Sequence, residues 1–405
     1  MKRIIFLNRY FHPDHSATSQ VLSDLAFHLA AVGDTVQVFT SRQLYDNPAA
    51  ELPAAETVQG VAIRRLSATR FGRTALLGRG VDYASFYGAV WRELMATARQ
   101  GDIVVAKTDP PLLCLAAASA ARRRGLLLVN WLQDLYPEVA MRLRVPLVVG
   151  PIGAGLLKLR DAALRGAAAN VVVGDGMAAV LHERGVAADR IRVIPNWCDD
   201  DDIRPVAHAD NGLRGEWGLV DRFVVGYSGN LGRGHEFATL LEAALRLRDE
   251  PRIVFLFVGG GSRMGELRRE IATRGLEANF RFLSYQGRPR LKFSLGAADV
   301  HWLSLRPELE GLIVPSKFYG IAAAGRPVVA VTASGGEIAE LVRQHGCGVV
   351  VAPGDGAALA AALRELAASP ETAAAMGARA RAMLDTQFTR RQAFARWERL
   401  FDALP

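Results

Sequence analysis

The stretch FVVGYSGNLGRGHEFATLLEAA, residues 223–244, decides how the rest of the chain reads. It opens on an apolar run suited to a strand, Phe223–Tyr227. It then turns through Gly229, Gly232 and Gly234 and enters a helical pattern near Glu236. Strand, short turn and helix in this order are the building unit of a parallel α/β sheet. Glycines in such a turn let the backbone approach a diphosphate, and exposed N–H groups at the following helix favour an anion. Arg233 would add positive charge. The spacing is not G-x-G-x-x-G, and no acid stands clearly about 20 residues on, as dinucleotide binders require. A plain strand-to-helix turn is the alternative reading.

Outward from this stretch the same unit repeats. Downstream, strands are expected at Ile253–Val258, Phe280–Leu283, Val300–Trp302, Pro327–Val331 and Gly348–Val351. Upstream they are expected at Arg3–Leu7, Thr35–Thr40, Val61–Leu66, Ile103–Ala106, Leu126–Trp131, Val171–Val173 and Arg192–Ile194, with helical patterns between. The alternation pauses at 196–219, where Pro195, Pro205, the acidic run Asp199–Asp202 and three glycines cluster. The fold class is therefore α/β, two Rossmann-like doubly wound domains. We expect a first doubly wound domain at 1–200, a linker at 201–221, a second doubly wound domain at 222–385 and a closing amphipathic helix within 386–405. Two such domains in tandem would face a ligand cleft with the carboxyl ends of their strands.

Bulk properties exclude other classes. Half of the 405 residues are hydrophobic and 22% are charged, as in packed globular proteins. Cys114, Cys198 and Cys347 form no C-x-x-C pair, which argues against a disulfide scaffold or zinc ribbon. No run approaches the roughly 18 apolar residues of a spanning helix, and MKRIIFLNRYF is too short in apolar residues for a signal peptide. A cytoplasmic protein is expected, peripheral on the inner face of the membrane. The net charge of +8 is concentrated in Arg64, Arg65, Arg70, Arg73 and Arg79, a segment without acids that carries Leu66, Phe71, Leu76 and Leu77. Such a segment either docks on anionic lipid or is a solvated loop. No nucleic-acid module accompanies it. Neither G-x-S-x-G nor H-E-x-x-H occurs. The acidic run could hold a metal-bound diphosphate, but its place in a linker favours plain solvation.

Two further segments carry candidate chemistry in the second half. Gly259, Gly260 and Gly261 follow a strand and precede Arg263 and a helix, one unit after the first glycine turn. PELEGLIVPSKFY, residues 307–319, follows another strand and leads into a helix ending at Ala324-Gly325. Pro315 and Ser316 sit where a helix start leaves N–H groups free. Lys317 in a first helical turn opposes the macrodipole unless an anion is near. In the first half, Ser16 and Thr18 lie in the loop after strand one, and Gln133, Asp134, Tyr136 and Glu138 follow Leu126–Trp131. Asp134 could orient an acceptor hydroxyl or take its proton. It could equally cap a helix.

Taken together, these segments resemble family-4 glycosyltransferases of the GT-B fold, nearest to those that build bacterial surface polysaccharides. The likeness runs from residue 3 to about 400. It rests on Tyr10–Asp14 with Ala17-Thr18, Trp131–Glu138, Ile194–Asn196, Tyr227–Gly232, Val258–Gly261 and Val314–Lys317 followed by Ala324–Pro327. The resemblance implies a retaining, metal-independent transfer from a nucleotide sugar, a UDP-sugar by expectation, to a lipid-linked saccharide. No other cofactor is implied. It places Ser16, Ala17, Thr18, Gly229, Asn230 and Arg233 beside the diphosphate, with Gly260 and Gly261 in the neighbouring turn. It places Leu283 and Tyr285 by the base, and Glu310, Gly311, Pro315, Ser316 and Lys317 at phosphate or sugar. Asp134 and Lys317 are its catalytic candidates, and its last helix crosses back onto the N-terminal domain.

Two positions depart from the family. The glutamate that contacts ribose in many relatives falls on Gly320, its partner eight positions earlier on Leu312, and Glu310 is two residues out of register. Ser16-Ala17 stands where many relatives have two glycines. The Gly320 departure supports a second reading, a non-catalytic subunit that keeps the fold and partners an active transferase. A nicotinamide oxidoreductase lacks its fingerprint here.

Overall fold

A computed structural model describes residues 1–45, 47, 49–71, 76–146 and 148–405. The chain divides into two compact units, Met1–Pro195 with Phe394–Pro405, and Asn196–Ala393.

The first unit holds an eight-stranded sheet. Its strands are β1 (Arg3–Leu7), β2 (Thr35–Ser41), β3 (Ala55–Val58), β4 (Val61–Leu66), β5 (Ile103–Lys107), β6 (Leu127–Leu132), β7 (Ala169–Val172) and β8 (Ile191–Val193). Their order is β3-β4-β2-β1-β5-β6-β7-β8, parallel except for the antiparallel edge pair β3–β4. Central strands such as β5 are buried on both faces, so their sequences read as unbroken apolar runs and not as alternation. The edge strand β3 was not anticipated, because its residues, AETV, carry only a weak strand pattern. Helices Ala17–Ala31, Leu76–Thr97 and Leu113–Arg124 cover the sheet, the first burying Leu22, Leu25, Ala26 and Leu29.

The closing helix Arg390–Asp402 completes this unit. Trp397 is fully buried, with its ring centroid 4.6 Å from that of Trp131. Phe394 stacks on His28 at 4.4 Å, and Glu398 pairs with the same imidazole at 2.7 Å. The aromatic spacing at 394, 397 and 401 is thus a buried face, as an amphipathic helix requires.

The second unit has six parallel strands, β9 (Phe223–Asn230), β10 (Ile253–Gly260), β11 (Phe280–Leu283), β12 (Val300–Ser304), β13 (Val328–Val331) and β14 (Gly348–Val351). The order is β11-β10-β9-β12-β13-β14. Both sheets therefore reverse strand order once, at β1/β5 and at β9/β12. In open α/β sheets ligands gather outside the carboxyl ends of the strands at such a reversal.

The segment expected as a linker, 201–221, is packed into the second unit. Ile203, Leu213 and Leu219 are buried, and Asn211 caps the helix Gly212–Glu216 through Leu213 N at 3.2 Å. Arg214 donates to the carbonyls of Ala297, Leu219 and Arg222 at 2.6, 3.0 and 2.7 Å. The acidic run is likewise engaged, not merely solvated. Asp199 pairs with Arg288 and Arg390, Asp202 with Lys292, and Asp200 accepts from Arg390 N at 2.9 Å, capping the last helix.

Candidate functional site

At the β9/β12 reversal the glycines are required by backbone proximity. Gly229 and Gly259 are register partners on β9 and β10. A Cβ on Gly259 would lie 2.3 Å from the Gly229 carbonyl oxygen, and one on Gly261 2.4 Å from the Leu231 backbone. Both have positive φ, 132° and 131°. No side chain fits at either place. The two glycine turns are therefore one structure, with Gly260 paired to Asn230 and Leu231 N donating to Gly260 O at 2.7 Å.

Lys317 opens the helix Lys317–Ala323 and reaches back across Gly229, where a Cβ would stand 2.8 Å from its Cε. Its Nζ lies 3.3 Å from His235 Nε2 and 5.5 Å from the Tyr227 ring centroid. His235 was not singled out in the sequence, although it closes the glycine turn. Its Nδ1 is 2.9 Å from the carbonyl oxygen of Ser304, the last residue of β12, so Nδ1 carries the proton and bridges the strand-order reversal. The Tyr227 hydroxyl donates to Asn230 O at 2.7 Å. The Nε2 lone pair thus turns to the ammonium of Lys317. Burial, and then the Lys317 charge, hold His235 down to about 3, so the imidazole is neutral at neutral pH. Burial also lowers Lys317 to about 8. The result is a half-buried cation fixed by a neutral acceptor.

The other sequence candidates are distributed around this centre. Pro315 is buried, and Ser316 caps the helix without a side-chain hydrogen bond. Gly311 has φ 70°. Asn230 and Arg233 are exposed. Leu283 ends β11 opposite Val258, and the exposed Tyr285 lies against Gly260. The Glu310 carboxylate accepts from Thr332 Oγ1 and crowds Gly336, with burial pushing its pKa up. Gly320 is half-buried, and a Cβ there would meet only Leu295, at 3.8 Å. A larger side chain would have room to begin.

In the first unit, Ser16 stands before the helix Ala17–Ala31 with its buried Oγ unpartnered, and Ala17 and Thr18 form the first turn. Asp14 builds the loop by accepting from Ser16 N at 2.8 Å and Tyr45 N at 2.5 Å. Asp134, past the end of β6, is half-buried. Burial raises it to about 6, against the hydrogen bond from Thr108; Asp109 raises it and Lys107 lowers it. Its Oδ1 has no partner among the described residues. Asp134 caps no helix; the next helix, Glu138–Arg142, has Pro137 at that position. Glu138, grouped with Asp134 in the sequence, is structural, paired with the buried Arg160.

The expected basic patch is largely consumed by acids from outside the segment. Arg64 pairs with Glu93 at 2.9 Å, the buried Arg65 with Glu56 at 2.5 Å, and Arg70 with Glu51 at 2.9 Å. Arg79 is half-buried, and Arg73 lies outside the described residues.

Comparison with known proteins agrees with this geometry. Residues 16–197 match the family described as glycosyl transferase 4-like domain, and residues 222–369 match glycosyl transferases group 1. The chain is 29% identical over 315 residues to the glycosyltransferase WbjE of Pseudomonas aeruginosa, covering 73% of this chain and 74% of that one. It is 28% identical over 384 residues to WcaI of Escherichia coli K12, named as a colanic acid biosynthesis glycosyl transferase, covering 91% and 93%. The structure of Anabaena HepE in complex with UDP and glucose superposes with a TM-score of 0.74 at 18% identity, covering all of both chains. With both halves matched in order and two α/β sheets of this topology, the chain belongs to the group 1, family-4 glycosyltransferases of the GT-B fold.

Proposed function

We propose that the protein transfers a sugar from a UDP-sugar to a lipid-linked saccharide during cell-surface polysaccharide synthesis, with retention at the anomeric carbon and without a metal ion. The observation that carries this reading is Lys317, a cation held against glycine backbone at the strand-order reversal by an uncharged histidine. An ammonium fixed by a neutral acceptor keeps its charge for an incoming pyrophosphate, whereas an ion-paired lysine would not. It also supplies the positive charge that a divalent cation would otherwise bring to the leaving diphosphate. Tyr285 beside Gly260 offers a face for the base. The names of WcaI and WbjE support the polysaccharide context, and the UDP in HepE supports the donor.

In this reading Asp134 takes or orients the acceptor hydroxyl proton. Among the described residues no helix is long and apolar enough to cross a membrane. A lipid-linked acceptor would instead be met by exposed apolar side chains. Leu77, Val81, Val149 and Ile152, 74, 48, 45 and 58% exposed, lie at or next to the first turns of the helices Leu76–Thr97 and Gly150–Arg165. Both helices lead into the amino ends of parallel strands, so both begin at the carboxyl edge of the sheet, where Asp134 lies. The test is UDP release from a panel of UDP-sugars with membrane lipid present, with and without chelator. Turnover that survives chelation supports the reading, and no turnover or binding by any nucleotide sugar overturns it.

Gly320 favours a second reading, a subunit that partners an active transferase. Absence of thermal stabilisation by UDP, together with copurification of another transferase, would support that one.

A further inference from the structure

Arg9 lies just past the end of β1, at the β1/β5 reversal, and is clamped there by the strands on either side. Its N–H donates to the carbonyl of Asp109, just past β5, at 2.7 Å. Its own carbonyl accepts from Ser41 N at 3.0 Å and from Thr40 Oγ1 and Ser41 Oγ at 2.9 and 2.8 Å, at the end of β2. The residue is 7% exposed. Its guanidinium carbon lies 5.6 Å from the Tyr10 ring centroid and 5.3 Å from that of Tyr83, on the helix Leu76–Thr97. The one hydrogen bond of its side chain among the described residues runs from Nη2 to the neutral Gln43 Oε1, at 3.1 Å. The other guanidinium nitrogens are not sealed from solvent.

Four arginines are buried among the described residues, and three of them meet a carboxylate. Arg65 pairs with Glu56, Arg160 with Glu138 and Asp161, and Arg214 with Asp299. Arg9 alone meets none. A desolvated guanidinium is costly unless an anion completes it. Its planar edge offers paired N–H donors that fit two oxygens of one phosphate. The remaining charges acting on Tyr83 are those of Arg79 and Asp109, of opposite sign, so Arg9 sets the local balance positive.

We propose that Arg9 is the floor of a phosphate subsite in the first unit, its open N–H edge taking two oxygens of a prenyl-linked or free diphosphate. The rings of Tyr10 and Tyr83 beside it give apolar faces to the carbon skeleton attached to such a phosphate. Gln43 keeps the subsite open. It orients Nη2 without charge, whereas a carboxylate at the same place would pair with the guanidinium and leave nothing for a ligand. The subsite stands on this geometry alone. That its ligand is the diphosphate of a lipid-linked acceptor rests on the transferase reading above. Lys317 belongs to the other unit, so the two cations can be removed one at a time.

The test is calorimetric titration of farnesyl diphosphate into protein saturated with UDP, repeated with inorganic diphosphate. Wild type is expected to bind, and Arg9→Gln to weaken the affinity by about 10–100-fold, the worth of a charge-assisted contact. Gln43→Glu, nearly isosteric, is expected to weaken it as strongly while UDP affinity and thermal unfolding stay as in wild type. That variant decides the matter if Arg9→Gln does not fold. Tighter binding of farnesyl than of inorganic diphosphate assigns the subsite to a lipid-linked ligand, and equal affinities assign it to a free one. A wild type that binds neither, or affinities unmoved in both variants, overturns the proposal. Lys317→Ala is expected to leave farnesyl diphosphate affinity unchanged, and a loss there would move the anion to Lys317 and overturn the Arg9 subsite. A protein that binds no UDP sinks the transferase reading, and the same titration without UDP still decides the subsite.

Discussion

The two strand-order reversals present opposite solutions to placing a lysine at a sheet edge. At β9/β12, Lys317 crosses bare glycine backbone and meets a neutral imidazole at 3.3 Å. At β1/β5, Lys107 is buried with its Nζ 3.5 Å from the Trp131 ring centroid, and burial pulls its pKa well below the usual lysine range. The first arrangement leaves a positive charge unspent and suits an anion. The second buries its amine against a ring, where desolvation disfavours the charged form. One scaffold, used twice, is thus specialised by what faces the lysine and not by the lysine itself.

Substitutions can break this contrast, beginning with the largest effect. Asp134→Asn should lower turnover by about 10²–10⁴-fold, the scale of general-base loss, while UDP affinity measured by calorimetry stays unchanged. A parallel loss of UDP binding would contradict the division of labour. Gly259→Val places a side chain where a Cβ already meets a carbonyl oxygen at 2.3 Å. It should destabilise the second unit by about 3 kcal/mol or more in thermal unfolding and abolish nucleotide binding. Lys317→Ala should weaken UDP by ~1–3 kcal/mol, the worth of a charge-assisted contact.

A pH series sharpens the same point. Lys317 is lowered to about 8 by burial, so it is charged below that value and loses its charge above it. UDP affinity should fall as pH rises through about 8 in the wild type and stay flat in Lys317→Met. The smallest effect is expected from Gly320→Glu. The open space at that position should admit the carboxylate and tighten UDP by a few-fold if it reaches the ribose. A loss of affinity would show that this chain recognises the ribose by another route.

Sequence patterns exposed unevenly what the structure contains. The parallel strands were legible because burial on both faces leaves unbroken apolar runs, as in β5 and β10. The edge strand β3 and the packing of 201–221 were not, since both depend on partners distant in sequence: β3 pairs antiparallel with β4, and Arg214 seeks the carbonyl of Ala297. Lys317 was legible as a cation misplaced against a helix dipole. His235 and Lys107 were not, because nothing local distinguishes a histidine after a turn or a lysine ending a strand. The pairing of Arg64, Arg65 and Arg70 was hidden for a like reason: the acids beside them, Glu93, Glu56 and Glu51, lie outside the segment.

Periodicity, glycine placement and residue order determined by themselves that this chain builds two α/β sheets with glycine turns at a strand end. Those features are local, written in the spacing of neighbouring residues. Which charges stay available was decided only by the tertiary structure. A side chain's charge is spent or kept according to what chain crossings bring within a few ångströms, and the strand-order reversals set those crossings.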